Sequence, residues 1–406
     1  MRSLFAPLCA LLLTAASAQD PVITSWIINP GNETGYGGYA TNVQSVYYNA
    51  ANVYVSSTCI PGYDIGPWTA NPNLPANQNF CFCITRTPVP NTGTLVNTAL
   101  GHIGVWRNGV SIFNAKDGMS YNNQGVWNRD ALYWEGISFD ACLGHPAPNG
   151  EYHHHVSPNC LYDHLDDSQH SDLIGYAFDG YPIYGAYGYA NADGSGGIAR
   201  MRSSYQLRSI TDRTTLPNGT VLNSNQYGPA IGGQYPLGAY IEDYAFVAGS
   251  GDLDVHNGRF CITPEYPAGT YAYFVTINEQ GTPAYPYVIG PQYYGTVPAG
   301  NTGPGGGHNT IPGDAVLYTN TSTAITDIPR ATFSVAPNPA TDHVVINSST
   351  AMVRARISDP SGRTESEVGL NGVLNTVPVA DLAAGVHIVE LQDVNGATQV
   401  VRFVKQ

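Results

Sequence analysis

Charged side chains are scarce in this sequence. They make up 11% of the 406 residues, whereas they make up roughly a quarter of typical soluble domains. Lys and Arg together number 16 against 30 Asp and Glu, which gives a formal net charge of −14. Because an acidic surface without a basic stripe repels polyanions, we expect neither a nucleic-acid partner nor binding to an anionic membrane face.

Long apolar runs are also lacking. The main one, Leu4 to Ala16, is shorter than the roughly 20 residues that a transmembrane helix needs. It follows Arg2 and ends at Ala16-Ser17-Ala18, a small-residue site typical of signal-peptide cleavage. We therefore expect residues 1–18 to be a signal peptide and no transmembrane span elsewhere.

Several familiar catalytic motifs are missing from residues 19–296. This stretch has no G-x-S-x-G serine elbow, no phosphate-binding loop and no dinucleotide fingerprint. It also has no C-x-x-C pair, which argues against zinc thiolate sites.

Gly (45), Pro (29) and Tyr (28) are abundant instead. Gly and Pro break helices, and aromatic residues favour pleated surfaces, so the composition predicts an all-β fold. Strand-like runs recur at Val53–Val55, Ile103–Trp106, Leu173–Phe178 and Tyr271–Ile277, with turn pairs such as Asn149-Gly150 and Asp179-Gly180 between them. We interpret residues 19–296 as one large β-rich domain.

The C-terminal part divides into two segments. Residues 297–327 are rich in Gly and Pro and predict a flexible linker. Residues 328–406 alternate again in short strand-like runs, which predicts a small immunoglobulin-like β-sandwich. His343 and His387 lie in this tail, and we assign them no chemistry.

Seven cysteines are present, of which Cys9 would leave with the signal peptide. An even remainder of six in an exported chain predicts up to three disulfides. Cys142 and Cys160 flank a histidine cluster, so a bridge between them would brace it. Cys81 and Cys83 share one face of a strand and cannot easily pair with each other, which leaves Cys59 and Cys261 as candidate partners.

The histidine cluster is the main functional signal. Seven of the 11 histidines fall between positions 102 and 170: His102, His145, His153, His154, His155, His164 and His170. On a strand, His153 and His155 point to the same side and could give two imidazoles to one metal ion, with His145 or His102 as the third ligand. Zinc and copper suit such ligands, whereas the scarcity of Met and the lack of a nearby Cys disfavour a blue-copper site. Hydrogen-bonded structural histidines and a metal-free catalytic pair are the alternatives.

Three further patterns are candidates for binding. The constrained segment Asp179-Gly180-Tyr181-Pro182-Ile183-Tyr184 is either a structural turn or a site, in which Asp179 would be a metal ligand or general base. Tyr181 and Tyr184, with Tyr152, would then line a substrate pocket. Acidic residues in Asp252–Gly258 suggest a calcium loop. Exposed aromatic residues, among them Trp106, Trp127 and Trp134, would suit a glycan groove.

The central segments resemble the YHYH domain family. The resemblance is carried by Asp140–Pro146, by Gly150–His155, and by Leu173–Gly185, and it spans roughly residues 95–295. Two departures stand out: His154 replaces the second Tyr of the Tyr-His-Tyr-His motif, and Ala272 stands where some members repeat a His. The family implies an exported protein and gives no reaction.

The tail resembles the C-terminal sorting domain of type IX secretion cargo. The matching segments are Pro337–Asp342, Leu382–Val389 and the closing Val401–Gln406. This resemblance implies recognition by the type IX secretion machinery and export across the outer membrane of a Bacteroidota-type bacterium. The cargo is then either released or held at the cell surface.

These observations lead to one principal hypothesis and two alternatives. The first is an exported metal-binding protein, with enzymatic activity left open; a metal with an open coordination position would support hydrolysis or redox chemistry. The second is a non-enzymatic cell-surface module that binds glycans or mediates adhesion. The third is a purely structural surface protein.

Overall fold

The structure is a computed structural model that describes residues 20–303, 305–319, 333–359, 363–394 and 398–406. The chain forms two compact units, Met1–Thr319 and Asn320–Gln406. The expected signal peptide, with Cys9, lies outside the described residues.

The first unit is built from short strands. They are β1 (Val43–Tyr48), β2 (Asn52–Ser57), β3 (Phe80–Thr85), β4 (His102–Trp106), β5 (Ser111–Phe113), β6 (Lys116–Ser120), β7 (Asn128–Asp130), β8 (Gly144–Pro146), β9 (Tyr152–His154), β10 (Leu173–Ala177), β11 (Pro182–Tyr184), β12 (Tyr187–Tyr189), β13 (Ile198–Arg200), β14 (Tyr205–Leu207), β15 (Tyr244–Phe246), β16 (Gly258–Cys261), β17 (Thr270–Phe274) and β18 (Val316–Leu317). The helices are α1 (Pro21–Thr24), α2 (Ala131–Glu135) and the 3₁₀ turns Tyr36–Gly38, Tyr121–Asn123, Gly136–Ser138, Ser224–Gln226 and Ile241–Asp243. The all-β prediction is confirmed.

Two sheets organise this unit. The smaller has the order β18-β1-β2-β3, and the larger has the order β16-β17-β11-β10-β4-β5-β9-β8. Strand β3 shows why they pack together: Phe80, Phe82 and Ile84 alternate inward while Cys81 and Cys83 are half-buried. Phe82 packs in one core cluster with Tyr176 and Phe178 of the larger sheet. The opposite face of the larger sheet has its own core, which includes Ile103, Trp106, Ile112 and Ile174.

Tight turns set the strand pairing, as the turn pairs predict. Asn149-Gly150 joins β8 to β9, and Gly150 has a φ of 81°. Asp179-Gly180 joins β10 to β11, and Gly180 has a φ of 91°. A positive φ suits glycine because other residues are strained there.

The structure differs from the expected flexible linker. Residues 297–319 belong to the first unit, and β18 pairs with β1. The side chain of Asn301 is fully buried; its Oδ1 accepts from the Cys83 N–H (2.9 Å) and its Nδ2 donates to the Cys83 carbonyl (2.6 Å). These bonds continue the edge of β3 and fix the segment, whose Gly and Pro content alone indicated flexibility. Residues 320–327 of the expected linker lie outside the described residues.

The second unit is a small β-sandwich, as predicted. Its strands are β19 (Phe333–Ala336), β20 (His343–Ser358), β21 (Thr364–Pro378), β22 (Gly385–Asp393) and β23 (Thr398–Lys405). Strand β20 pairs with β19, β21 and β22, and β22 pairs with β23. Val344, Ile357 and Val389 lie in its core. His387 is held structurally, because its two ring nitrogens contact Glu365 Oε2 (2.6 Å) and the Ala383 carbonyl (2.8 Å).

Within the described ranges, none of the helices combines the length and apolar character that a membrane crossing requires.

Candidate metal centre

A short hairpin at the edge of the larger sheet brings three histidines together. Strands β8 and β9 pair antiparallel, which puts His145 directly opposite His153. His155 follows β9 by one residue and returns to the same side as His153, as the strand period predicts. The ligand-type atoms of these three side chains all lie within 4.8 Å of one another. All three side chains are buried.

A disulfide between Cys142 and Cys160 encloses this hairpin, as the sequence suggests. The bridge closes a segment that carries all three histidines. It therefore limits the freedom of the hairpin in the unfolded chain and helps to fix the histidines in the folded one.

Hydrogen bonds assign the proton positions of the three imidazoles. The Nδ1 of His153 lies 3.0 Å from the Glu151 carbonyl, and the Nδ1 of His155 lies 2.6 Å from the Asn114 carbonyl. Carbonyls only accept, so both Nδ1 atoms carry a hydrogen. His145 Nδ1 lies 2.8 Å from Ser138 Oγ. Since that hydroxyl donates to the Glu135 carbonyl, it accepts from His145. In the neutral form of each ring, Nε2 therefore presents a lone pair.

The free Nε2 atoms fit a metal ion. His153 Nε2 and His155 Nε2 are 3.1 Å apart, and two neutral rings that donate through Nδ1 place no hydrogen between them. Two imidazole ligands of one tetrahedral zinc ion would be about 3.3 Å apart, given zinc–nitrogen distances of about 2.0–2.1 Å. His145 Nε2 is buried and has no hydrogen-bond partner within the described structure. Lone pairs that face each other without a donor are unfavourable, and a bound cation would satisfy all three.

Glu135 is the acidic group of the site. It is the last residue of α2, and its Oε2 lies 3.3 Å from His155 Nε2 and 3.9 Å from His145 Nε2. The helix is positioned at its other end by Asp130, whose side chain accepts from the Tyr133 N–H (3.0 Å). The site therefore combines three imidazoles with one carboxylate.

Burial favours the neutral form of His145 and His153. Burial, followed by the charge of His155, lowers the pKa of His145 to about 4. Burial and the neighbouring imidazoles hold the pKa of His153 well below its usual value. For Glu135, burial opposes ionisation, but the neighbouring side chains of His155, His145 and Arg129 outweigh it and lower the pKa. At neutral pH, His145 and His153 thus have the unprotonated form that a divalent cation needs.

A cleft of about 510 Å³ opens onto the three histidines. This volume is within the usual range for small-molecule sites. Phe113 forms part of its wall and stacks on His153, with ring centroids 3.7 Å apart. Other lining residues include Leu100, Lys116, Asp117, Trp134, Ile137 and Pro146.

His102, an expected alternative ligand, lies outside this group. Its Nδ1 is 2.8 Å from Glu151 Oε1, and its ring packs edge-on against Phe80, Phe82 and Phe178. Strand β5 separates β4 from β9, and the His102 ring lies against Phe82 and Phe178 of the core between the two sheets. The structure therefore brings together His145, His153 and His155 and leaves His102 apart.

Asp179 is also away from the cluster. Its carboxylate is fully buried and accepts from the Tyr273 hydroxyl (2.6 Å), the Gly295 N–H (2.8 Å) and the Tyr181 N–H (3.3 Å). With these three donors it holds a turn rather than a metal. Burial raises its pKa to about 6.

The three tyrosines expected to line a pocket are core residues instead. Tyr152 donates to Asp140 Oδ2 (2.9 Å), and Tyr184 donates to Glu265 Oε2 (2.7 Å). Tyr181 is 5% exposed and belongs to the core of the larger sheet. None of them lines the cleft at the histidines.

The described structure gives little support to two further expectations. In the calcium-like loop, Asp254 Oδ1 accepts from the Tyr271 hydroxyl (2.8 Å) and the His256 N–H (2.9 Å), while Asp252 pairs with Arg202, so these carboxylates already have protein partners. Of the tryptophans proposed for a glycan groove, Trp106 and Trp127 are buried core residues. Trp134 alone of these three lines the cleft.

The cysteines form fewer bridges than expected. Within the described residues, Cys142–Cys160 is the one disulfide, and Cys59, Cys81, Cys83 and Cys261 are free thiols. Cys59 is buried, and its thiol donates to the Tyr152 carbonyl (3.1 Å). It therefore packs beneath β9 instead of pairing with Cys81 or Cys83.

The sequence interpretation missed Glu135 and the residues that orient the imidazoles. Glu135 lies ten positions before His145 and fits no spacing rule for metal ligands. Asn114 contributes through its backbone carbonyl, which any residue type has. The roles of Glu135 and Asn114 become visible only when the fold brings distant parts of the chain together.

Comparisons with curated proteins and with solved structures give little. No curated protein matches the chain. One solved structure is PorZ of Porphyromonas gingivalis, described as an essential bacterial surface component of the type IX secretion system. It is 10% identical, and the match covers 95% of this chain and 54% of that one, with a TM-score of 0.16. The present chain thus spans about half the length of that protein. A TM-score this low gives no information about the fold or function of the chain.

Family comparisons are more specific. The model of the secretion system C-terminal sorting domain matches residues 334–406, which marks the protein for export to the cell surface or beyond and links it to the type IX machinery. The model of the YHYH protein family matches residues 81–286, just over half of the chain, and includes the three clustered histidines. The chain therefore belongs to the YHYH protein family and carries a type IX sorting domain at its C-terminus.

Proposed function

We propose that the first unit is an extracellular metal-dependent hydrolytic enzyme whose ion, zinc in the first instance, is held by His145, His153 and His155. The observation that carries this proposal is the set of three lone pairs. All three Nδ1 atoms are paired outward, while the three Nε2 atoms converge at the base of an open cleft. A structural histidine cluster would pair those nitrogens with donors instead.

Imidazole donors favour zinc or copper over calcium, which prefers oxygen ligands. His145, His153 and His155 would hold a divalent ion with a position left for water, and the ion would supply Lewis-acid chemistry that activates this water. This arrangement suits catalysis better than a purely structural metal, which is normally enclosed by four protein ligands.

The surrounding residues supply orientation and proton transfer. The Glu151 and Asn114 carbonyls fix the ring orientations of His153 and His155. Glu135 is ionised at neutral pH, is 30% exposed in its side chain and lies at the cleft, so its Oε2 can take a proton and return it. Phe113 and Trp134 form apolar walls that limit the access of water.

Elemental analysis of the purified protein tests the metal, beside His153→Ala/His155→Ala and the control His164→Ala, which lies outside the cluster. We expect near-stoichiometric zinc in the parent and the control, and loss of zinc in the double variant, with circular dichroism showing that it remains folded. Copper in place of zinc would overturn the hydrolytic assignment. No bound metal after exposure to zinc and copper would overturn the metal site itself.

Hydrolysis of p-nitrophenyl acetate tests the catalytic role of Glu135. We expect Glu135→Gln to keep its zinc and to lose activity by about 10²-fold or more, the usual contribution of a positioned acid–base group. Loss of zinc in Glu135→Gln would instead make Glu135 a ligand, and unchanged activity would refute its role in proton transfer.

A further inference from the structure

Lysine is nearly absent from this protein. Lys116 and Lys405 are its two lysines, and Lys405 lies in the sorting domain. The single lysine of the first unit is therefore Lys116, and it lines the cleft that opens onto the three histidines. In a chain with a net charge of −14, a solitary lysine at this position is a specific feature of the site.

Local structure ties Lys116 to the metal centre. Asn114, two residues earlier, accepts through its carbonyl from His155 Nδ1 (2.6 Å), and its side-chain Oδ1 accepts from the Lys116 N–H (2.9 Å). The same residue thus fixes the third histidine and the backbone at the start of β6. Strand β6 also pairs with β7, where Lys116 lies opposite Asp130, just before α2 and Glu135. Lys116 is held between the two parts of the site.

The nearby acids have other partners. Asp117 Oδ2 lies 3.8 Å from Arg129 Nη1, and Glu135 lies beside His155 and His145. Glu242 is influenced by the Lys116 charge, yet its oxygens accept from the Asn128 N–H (2.7 Å) and Nδ2 (2.6 Å). Across the described residues, no carboxylate lies within ion-pair distance of the Lys116 amine.

Charge counting gives the character of the cleft. Among the residues that line the cleft, Lys116 contributes one positive charge, and Asp117 and Glu135 contribute two negative charges. Imidazoles that bind a metal ion are neutral, so a divalent ion would make the occupied cleft net positive within an acidic protein. Low-dielectric walls such as Phe113, Trp134 and Ile137 strengthen that field and offer apolar contact.

We infer that the cleft takes a small organic anion with an apolar or aromatic body, and that Lys116 supplies the charge that selects it. This inference rests on the proposed function and names the substrate class of the same site. Lys116 acts as a binding residue for the anionic group, while the apolar walls contact the body of the ligand. A neutral compound of the same shape loses the charge interaction and keeps only the apolar one.

The test measures binding of benzoate and its neutral counterpart benzamide to the zinc-loaded protein by calorimetry. The variants are Lys116→Met and Lys116→Arg, with Lys405→Met as the matched control, because it removes the same charge from the other unit. We expect the parent to prefer benzoate. In Lys116→Met that preference falls by about tenfold, Lys116→Arg restores most of it, and Lys405→Met changes it by less than twofold. Phenyl phosphate in a parallel titration distinguishes carboxylate from phosphate recognition.

Equal binding of benzoate and benzamide by the parent, or no binding of either, would overturn the inference. So would equal effects of Lys116→Met and Lys405→Met. Zinc content is measured on each sample beforehand. A parent without zinc contradicts the proposed function, whereas a zinc-loaded parent without an anion preference contradicts only the substrate class.

Discussion

Metal binding should stabilise the first unit strongly, because the site is already formed. The three imidazoles are buried, and their Nδ1 atoms are held by Ser138, Glu151 and Asn114. Binding of the ion therefore requires little further loss of side-chain conformational entropy. Metal binding also relieves the unfavourable contact between His153 Nε2 and His155 Nε2, which are 3.1 Å apart.

The expected magnitude follows from linkage. A ligand that binds only the folded state, at a free concentration of about 1,000 times its Kd, adds about 4.1 kcal/mol to the free energy of unfolding. For domains of roughly 150–250 residues, each kcal/mol shifts Tm by about 2–4 °C. The first unit is somewhat larger, so we expect zinc to raise its Tm by about 10 °C over a chelator-treated sample.

Differential scanning calorimetry with zinc and with chelator measures this shift. In His153→Ala/His155→Ala the shift should vanish, whatever the baseline stability of that variant, whereas His164→Ala should keep it. Because each protein is compared with itself, a general loss of packing does not affect the comparison. A double variant that gains as much stability from zinc as the parent would refute the reasoning.

Three further predictions concern the parts that hold the site. Replacing Cys142 and Cys160 by Ser opens a loop with a sequence separation of 18 residues. We expect the free energy of unfolding, measured in urea, to fall by about 3 kcal/mol and zinc binding to weaken in a chelator competition. Unchanged zinc affinity would contradict the bracing role of the disulfide. Asn301→Ala leaves the Cys83 N–H and carbonyl without their partner. We expect this change to lower the free energy of unfolding by about 1–3 kcal/mol. If the segment were a flexible linker, Asn301→Ala would have no more effect than the neighbouring Thr302→Ala. Burial raises the pKa of Asp179 from 3.8 to about 6, so between these values the folded protein binds a proton that the unfolded chain releases. The stability of the parent relative to Asp179→Asn should therefore fall as pH rises through that window. A difference between the urea midpoints of the two proteins that stays constant from pH 4 to pH 7 would contradict this prediction.

The sequence predicts the features that depend on neighbouring residues. Alternation and turn pairs predict the strands, the β8–β9 turn at Asn149-Gly150 among them. Strand period places His153 and His155 on one side, and the position of Cys142 and Cys160 around the cluster predicts their disulfide, which is confirmed.

The features that it does not predict depend on distant pairing. The sequence left both His102 and His145 as candidates for the third ligand, but the sheet order puts β4 and β8 in different positions, and of these two only β8 lies against β9. Glu135 reaches the site through α2, far from any recognisable motif. Residues 297–319 looked flexible because their order comes from contacts such as Asn301 with Cys83 across more than 200 positions.

The most direct test of the metal centre is anomalous X-ray diffraction from crystals of the zinc-loaded protein, recorded on either side of the zinc absorption edge. The account predicts an anomalous peak about 2.0–2.1 Å from the Nε2 atoms of His145, His153 and His155, with an open side toward the cleft. A peak elsewhere, or no peak with the three imidazoles hydrogen-bonded to water or to one another, would contradict it.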